Sequence, residues 1–164
     1  MRSEYIWSVV LFFPLLIIQT TVVPFISING ITPDLILIML VFYTVRNGQV
    51  YGTILGFVYG FLFDLITGSL LGSAMLSKTI AGFIAGYFSN ENKREIYFKT
   101  HIFVLIVFLC SVVDLIINSF FSSIDLNTSI VLLLFEQGVL PGIYTALLSA
   151  LIILFYPKRS IIEN

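Results

Sequence analysis

The sequence predicts an all-α integral membrane protein, a bundle of six transmembrane helices in one domain that covers residues 1–164. Composition is the first reason, because the chain is 59% hydrophobic and only 10% charged, whereas soluble domains are about 25% charged. Long apolar runs are the second, since a spanning helix needs about 20 mostly apolar residues. The third is that lysine and arginine occur in alternate connections between these runs, as the positive-inside rule favours.

Each predicted helix is an apolar run that ends at a recognisable break. The six runs cover about residues 5–23, 33–45, 49–66, 70–88, 100–121 and 131–156. The first ends before Pro24 and the last before Pro157, because proline lacks the amide hydrogen that a helix interior needs. The second run is short for a full span, but a model with five helices would break the alternation of basic connections.

The second helix has its own start signal in Thr32, Pro33 and Asp34. The Thr32 hydroxyl can cap a helix, and Pro33 suits the first helical position. The Asp34 carboxylate would then meet the positive end of the helix dipole. We therefore expect the second helix to begin at residue 33.

The basic residues predict the orientation of the bundle. They precede the first helix, follow the second, separate the fourth from the fifth and follow the sixth, at Arg2, Arg46, Lys93, Arg94, Lys99, Lys158 and Arg159. The connections at 24–33, 67–70 and 122–130 contain no lysine or arginine. Both termini are therefore predicted to be cytoplasmic, and the chain is expected to span a membrane several times.

Asp64 and Lys78 are opposite charges within otherwise apolar runs. Each lies seven residues from Leu71 in the predicted outer turn, so both should lie roughly 10 Å inward of it. A charge at membrane depth costs roughly 3 kcal/mol or more, and an opposite charge reduces that cost. We expect an Asp64–Lys78 ion pair that fixes the hairpin; a pocket for a partner or polar ligand, and a proton or ion relay, are alternatives.

Asp114 is a third acid within a predicted span, and Asn118 lies one helical turn after it. The two could share a hydrogen-bonded site, so both join Asp64 and Lys78 as candidate site residues. The outer half contains further acids at Asp34, Asp125 and Glu136. This excess of acids either favours a polar or basic partner or follows from the positive-inside rule.

Small residues recur every fourth position along the third and fourth helices, where they would let helices approach closely in lipid. The candidates for helix packing are Gly52, Gly56, Gly60, Gly68, Gly72, Ser73, Ser77, Gly82 and Gly86. Packing within this chain and docking of a helix from another chain both fit the pattern.

Motifs for catalysis or cofactors are absent from the sequence. It contains no HExxH, GxSxG or GxxxxGK[ST] pattern. His101 and Cys110 are the single histidine and cysteine, so a metal site of several such ligands cannot be assembled. The expectation is a protein that is not an enzyme, binds no cofactor or nucleic acid, and contacts membrane lipid.

The order and spacing of residues 29–88 resemble the rod shape-determining protein MreD family. The matching positions are Pro33, Asp34, Leu35, Gly56, Gly60, Asp64, Gly68, Leu71, Gly72, Ser77, Lys78 and Gly86, together with Gln19 and the LPGIYT run at 140–145. The resemblance implies a fold like that of the substrate-binding subunits (S-components) of energy-coupling-factor transporters.

The resemblance also implies a function in bacterial cell elongation without catalysis. The expected direct partner is MreC, and MreB and the RodA–penicillin-binding protein synthase belong to the same assembly. In this interpretation the chain is a scaffold that supports rod shape and lateral peptidoglycan synthesis. The main alternative is the substrate-binding subunit of an energy-coupling-factor vitamin transporter, and a lipid-carrier binding protein is a third possibility.

Overall fold

The computed structural model describes residues 2–28, 30–90, 94–98, 100–122 and 139–155. The helices in these segments are α1 (Arg2–Thr21), α2 (Leu35–Asn47), α3 (Gln49–Thr67), α4 (Ser73–Ala85), α5 (Arg94–Tyr97), α6 (Thr100–Ser122) and α7 (Leu140–Phe155). Short 3₁₀ turns follow α1 at Val23–Ile26 and α4 at Gly86–Phe88. Within these segments the β-structure is one isolated bridge between Ile28 and Ile31. The predicted all-α class is therefore confirmed for the described residues.

The helix boundaries differ from the predicted ones at several ends. The second helix begins at Leu35 rather than at residue 33. The fourth begins at Ser73 rather than at residue 70, because Gly68 and Gly72 adopt positive φ angles of 68° and 109° and form the turn before it. The first eight residues of the predicted sixth helix, 131–138, lie outside the described residues, as do Asp125 and Glu136.

Two of the described helices are long and apolar enough to cross a membrane, at Gln49–Thr67 and His101–Phe121. Three further apolar helices are shorter, at Trp7–Thr21, Leu35–Asn47 and Leu140–Leu154. Bulky apolar side chains also cover the outside of the bundle, with Trp7, Val50 and Leu147 each more than half exposed. An apolar exterior of this kind suits a lipid environment better than water.

Helix α2 lies at the centre of the bundle and contacts α1, α3, α4, α6 and α7. Its side chains Ile36, Leu37, Leu40 and Val41 are fully buried. The N-terminal end of α2 therefore lies where several helices meet, at the same end of the bundle as the α3–α4 turn.

Helix α1 is held against α3 by one aromatic and two polar contacts. The rings of Phe12 and Tyr59 stack with centroids 4.7 Å apart. The hydroxyl of Tyr59 donates to the carbonyl oxygen of Ser8 at 2.7 Å, and the Ser8 and Tyr51 hydroxyls lie 2.6 Å apart. These contacts fix the rotation of α1 relative to α3.

Helices α3 and α4 pack with their backbones in direct contact. A Cβ atom built on Gly56 would overlap the carbonyl oxygen of Lys78, and one built on Gly60 would overlap that of Ala74. From the other side, a Cβ on Gly82 would overlap the carbonyl oxygen of Gly52. Backbone atoms cannot move aside as a flexible side chain can, so each of these positions requires glycine.

The remaining glycines of the predicted packing set also lie at internal contacts or in the turn. A Cβ on Gly52 would meet the side chain of Thr44, and one on Gly86 would meet Gln49. Gly68 and Gly72 are the two turn residues with positive φ. The structure thus accounts for these small residues by packing within the chain.

Alanine at Gly56 should destabilise the bundle even though alanine favours helix formation. The added methyl group would force α3 and α4 apart, and overpacking of this kind costs about 1–3 kcal/mol. The measurement is the temperature at which the purified protein in detergent loses its monodisperse peak in size-exclusion chromatography. G142A is the matched control, because its Cβ would lie 3.1 Å from a methyl group of Val112 that can give way. Equal midpoints for G56A and G142A would contradict the close-packing interpretation.

Candidate functional site: a buried charge cluster

Lys78 lies in the second turn of α4 and its side chain is almost completely buried. Its Nζ donates to Oδ2 of Asp34 at 2.5 Å and to Oδ2 of Asp114 at 3.3 Å. The ring of Phe63 lies 5.8 Å from the ammonium, measured to the ring centroid, which is within the range of a cation–π contact. We call Asp34, Lys78 and Asp114 the charge cluster; it joins α4 to the start of α2 and to α6.

Asp34 is the N-cap of α2 as well as a partner of Lys78. Its Oδ1 accepts a hydrogen bond from the backbone amide of Leu37 at 2.9 Å, which satisfies one of the free amides at the helix start. Its Oδ2 accepts from Lys78. The side chain is 22% exposed, so the cluster reaches the surface at this residue.

Two further helices hold the backbone around Asp34. The Gln19 side chain of α1 donates through Nε2 to the carbonyl oxygen of Pro33 and accepts through Oε1 from the amide of Leu35, both at 2.9 Å. The backbone amide of Asp34 donates to the Thr145 hydroxyl of α7 at 3.1 Å. Side chains from α1 and α7 therefore fix the segment that positions the Asp34 carboxylate, and five helices meet at the cluster.

This clamp explains why the predicted helix start is wrong. Asp34 has extended backbone angles, φ −101° and ψ 97°, because Gln19 and Thr145 hold residues 33–35 by their backbone groups. The helix therefore begins after Asp34, and Asp34 itself is the cap. Thr32 is exposed and lies two residues before the capping position.

Asp114 is buried in α6, with its side chain 4% exposed. Its Oδ2 accepts from Lys78 and the Ser77 hydroxyl lies beside the carboxylate, while its Oδ1 has no hydrogen-bond partner. Asn118 does not donate to it, so the predicted Asp114–Asn118 hydrogen bond is wrong. The carboxylate turns instead to α4, because an ammonium attracts it more strongly than a neutral amide does.

Asp64 does not pair with Lys78, and the predicted Asp64–Lys78 ion pair is wrong. The Asp64 carboxylate instead accepts hydrogen bonds from the first turn of α4 and the loop before it. The donors are Ser69 Oγ at 2.7 Å, Gly72 N at 2.9 Å, Ala74 N at 3.2 Å and Met75 N at 3.1 Å. Asp64 lies three residues from the end of α3, opposite the free amides of α4 rather than opposite Lys78 one turn further along.

The two predicted serines on α4 are buried near these contacts. Ser77, which precedes Lys78, donates from Oγ to the carbonyl oxygen of Ala74 at 3.2 Å. Ser73 opens the helix and donates from its amide to Leu70 at 3.0 Å. Both are small enough to let α4 approach its neighbours.

The arrangement of these groups joins separate helices to one another. The described residues contain no group of three or more histidine, cysteine, aspartate or glutamate side chains that could hold a metal ion. Lys78 is engaged by two carboxylates, and Asp64 by four donors. The charge cluster links α2, α4 and α6 inside an apolar environment. Solvent and salt screen an ion pair little there.

The structure adds Gln19 and Thr145 to the site; the sequence marks both only as positions that resemble the family and does not assign them to a site. Each is a polar side chain in an otherwise apolar helix, and this contrast is the feature of the sequence that could have indicated a buried polar contact. Asp34 was identified as a helix-start acid but not as the partner of Lys78. The sequence alone could not indicate this pairing, because 44 residues separate Asp34 from Lys78.

A bundle that buries its charges against one another beneath an apolar surface is the arrangement of a helical membrane protein. The chain matches the family described as rod shape-determining protein MreD over residues 1–159 and belongs to that family. Membership implies a role in rod-shape determination. No curated protein and no solved structure is significantly similar to the chain.

Substitution of Lys78 by methionine should leave Asp34 without its counter-ion and destabilise the bundle by roughly 3 kcal/mol. Replacing Asp34 by asparagine in the same chain removes the unpaired charge and keeps a good N-cap, so K78M/D34N should be more stable than K78M. The measurement is the thermal midpoint of each purified variant. K78M/D64N is the matched control, because Asp64 lies outside the cluster and its effect should simply add. Rescue by D64N instead of D34N would contradict the observed pairing.

Substitution of Asp64 by alanine should also lower stability, but independently of Lys78. It leaves the amides of Gly72, Ala74 and Met75 without an acceptor, at a cost of about 2–3 kcal/mol. The thermal midpoint of D64A is compared with that of T21V, which removes an exposed hydroxyl contact at the end of α1 and should change little. A midpoint for D64A equal to that of T21V would refute the capping role.

Proposed function

We propose that the chain spans the bacterial cytoplasmic membrane six times, with both termini in the cytoplasm and an arrangement like that of energy-coupling-factor S-components. The apolar exterior and the six helices of more than ten residues in the described segments support this. Arg46 lies in the last turn of α2, at the end of the bundle opposite the charge cluster. By the positive-inside rule that end faces the cytoplasm, and the cluster lies in the extracytoplasmic half.

We further propose that the protein is a non-catalytic scaffold of the cell-elongation machinery and binds MreC. The observation that carries this proposal is the charge cluster, which fixes the relative positions of α2, α4 and α6. The Lys78 ammonium and the Asp34 carboxylate are engaged there in internal contacts, while family membership supplies the link to rod shape. A rigid bundle with an apolar lateral surface is well suited to hold another membrane helix.

Lateral faces of the bundle offer the surface for such contacts. Leu11 on α1, Phe61 on α3 and Leu151 on α7 are all exposed, so lipid or a partner helix covers them. In this proposal MreC occupies one of these faces and lipid the others. MreB and the RodA–penicillin-binding protein synthase belong to the same assembly and are reached through MreC, which links the bundle to lateral peptidoglycan synthesis.

Photo-crosslinking in cells tests the proposal. A photoreactive amino acid placed at Leu11, Phe61 or Leu151 should crosslink to MreC from one face, since a single helix covers one side of the bundle. The same amino acid at Phe12, which is fully buried, is the matched control and should give no intermolecular product. Absence of MreC from every crosslinked product, with wild-type protein that also fails to co-purify with MreC, would refute the proposal.

The function of the cluster in partner binding has its own test. K78M should co-purify with less MreC than wild type does, and K78M/D34N should recover the complex, because rescue of the bundle restores the docking surface. Vitamin binding by the purified protein, without MreC binding, would support the transporter alternative instead.

A further inference from the structure

The three acids near the extracytoplasmic end differ sharply in the donors that face them. Asp64 accepts from four groups, and Asp34 accepts from the Leu37 amide and from Lys78. Asp114 has the Lys78 contact at 3.3 Å and the Ser77 hydroxyl beside it, and its Oδ1 is buried with no donor. Asp114 is therefore the acid with the least support for a negative charge.

Charge counting leads to the same residue. Two ionised carboxylates and one ammonium would leave the cluster with one net negative charge inside an apolar bundle. An uncompensated buried charge is strongly unfavourable. Lys78 lies closer to Asp34 than to Asp114, so the shorter ion pair uses the ammonium and leaves Asp114 as the excess acid.

Among the described residues, the helices around Asp114 supply no second cation to the cluster. The charged or titratable groups on those helices are Asp34, Tyr43 and Arg46 on α2, Lys78 on α4, His101 and Cys110 on α6, and Tyr144 on α7. Arg46 and His101 lie at the opposite end of the bundle, and Tyr144 donates its hydroxyl to the carbonyl oxygen of Ile26.

We infer that Asp114 is a proton-binding site, and that its carboxyl group is protonated and neutral at neutral pH. A proton is the cation that fits here, because Oδ1 is fully buried and a larger ion would need room and several oxygen ligands. The cluster then consists of an Asp34–Lys78 ion pair beside a neutral acid and carries no net charge.

A second unpartnered atom on α6 supports this assignment. Ser111 lies three residues before Asp114, on the same face of the helix, and its Oγ is buried without a hydrogen-bond partner. A serine hydroxyl could donate to an ionised carboxylate as well as accept from a protonated one. In the structure it contacts neither oxygen of Asp114, so Ser111 adds no donor that would stabilise a negative charge there.

Infrared spectroscopy of the full chain in dodecyl maltoside micelles tests the inference, since a protonated carboxylic acid has a carbonyl stretch separate from the carboxylate bands and this detergent has no ester carbonyl that absorbs beside it. Wild type at pH 7 should show this band, with a shift in D₂O. D114N should lose it, while D64N, the matched control, should keep it. Absence of the band from wild type, or its survival in D114N, would overturn the inference.

Thermal stability decides which acid of the cluster holds the proton. Asparagine resembles a neutral aspartic acid, so D114N should unfold near the wild-type midpoint and keep the Asp34–Lys78 pair. D34N should unfold at a clearly lower temperature, because it removes the ionised partner of Lys78. A D114N protein that is less stable than D34N, or that fails to fold, would contradict the assignment. Neither measurement involves MreC, so this inference fails or stands separately from the proposed function.

Discussion

The bundle depends on the interaction of the buried Lys78 ammonium with carboxylates from other helices. An unpaired charge on α4 would be too costly in an apolar surrounding, so α4 must lie where a carboxylate can reach it. The start of α2 supplies that carboxylate through Asp34, and α6 supplies a second acid through Asp114. The positions of three helices are thereby linked by one side chain, which apolar packing alone does not specify.

The surrounding contacts make this arrangement possible by fixing the Asp34 backbone. Gln19 and Thr145 reach it from helices that are distant in sequence. Backbone contact between α3 and α4 brings Lys78 to the correct depth, because glycines on both helices remove the side chains that would separate them. The polar contacts set the relative orientation of the helices, and the close packing holds the backbones of α3 and α4 together.

The sequence predicted the helical class and many helix ends because apolar runs, prolines and turn glycines act locally. The small residues of α3 and α4 were recognised as a packing pattern, although the sequence left open whether they packed within the chain. Lys78 is recognisable from the sequence as a buried charge in need of a partner, but the sequence points to Asp64, the nearest acid along the hairpin. Asp64 is instead drawn to the free amides of α4, and the true partners come from parts of the chain that periodicity cannot place together. Gln19 and Thr145 were missed as a pair for the same reason.

The sequence separations within the site have a consequence for biosynthesis. Asp64 contacts groups only 5–11 residues later, so the hairpin can close as soon as its second arm leaves the ribosome. Lys78 finds Asp34 already made, 44 residues earlier, whereas Asp114 is synthesised 36 residues later. The lysine can therefore enter the bilayer as part of a neutral pair before α6 exists. The last acid then joins a membrane-embedded intermediate whose charge is already balanced.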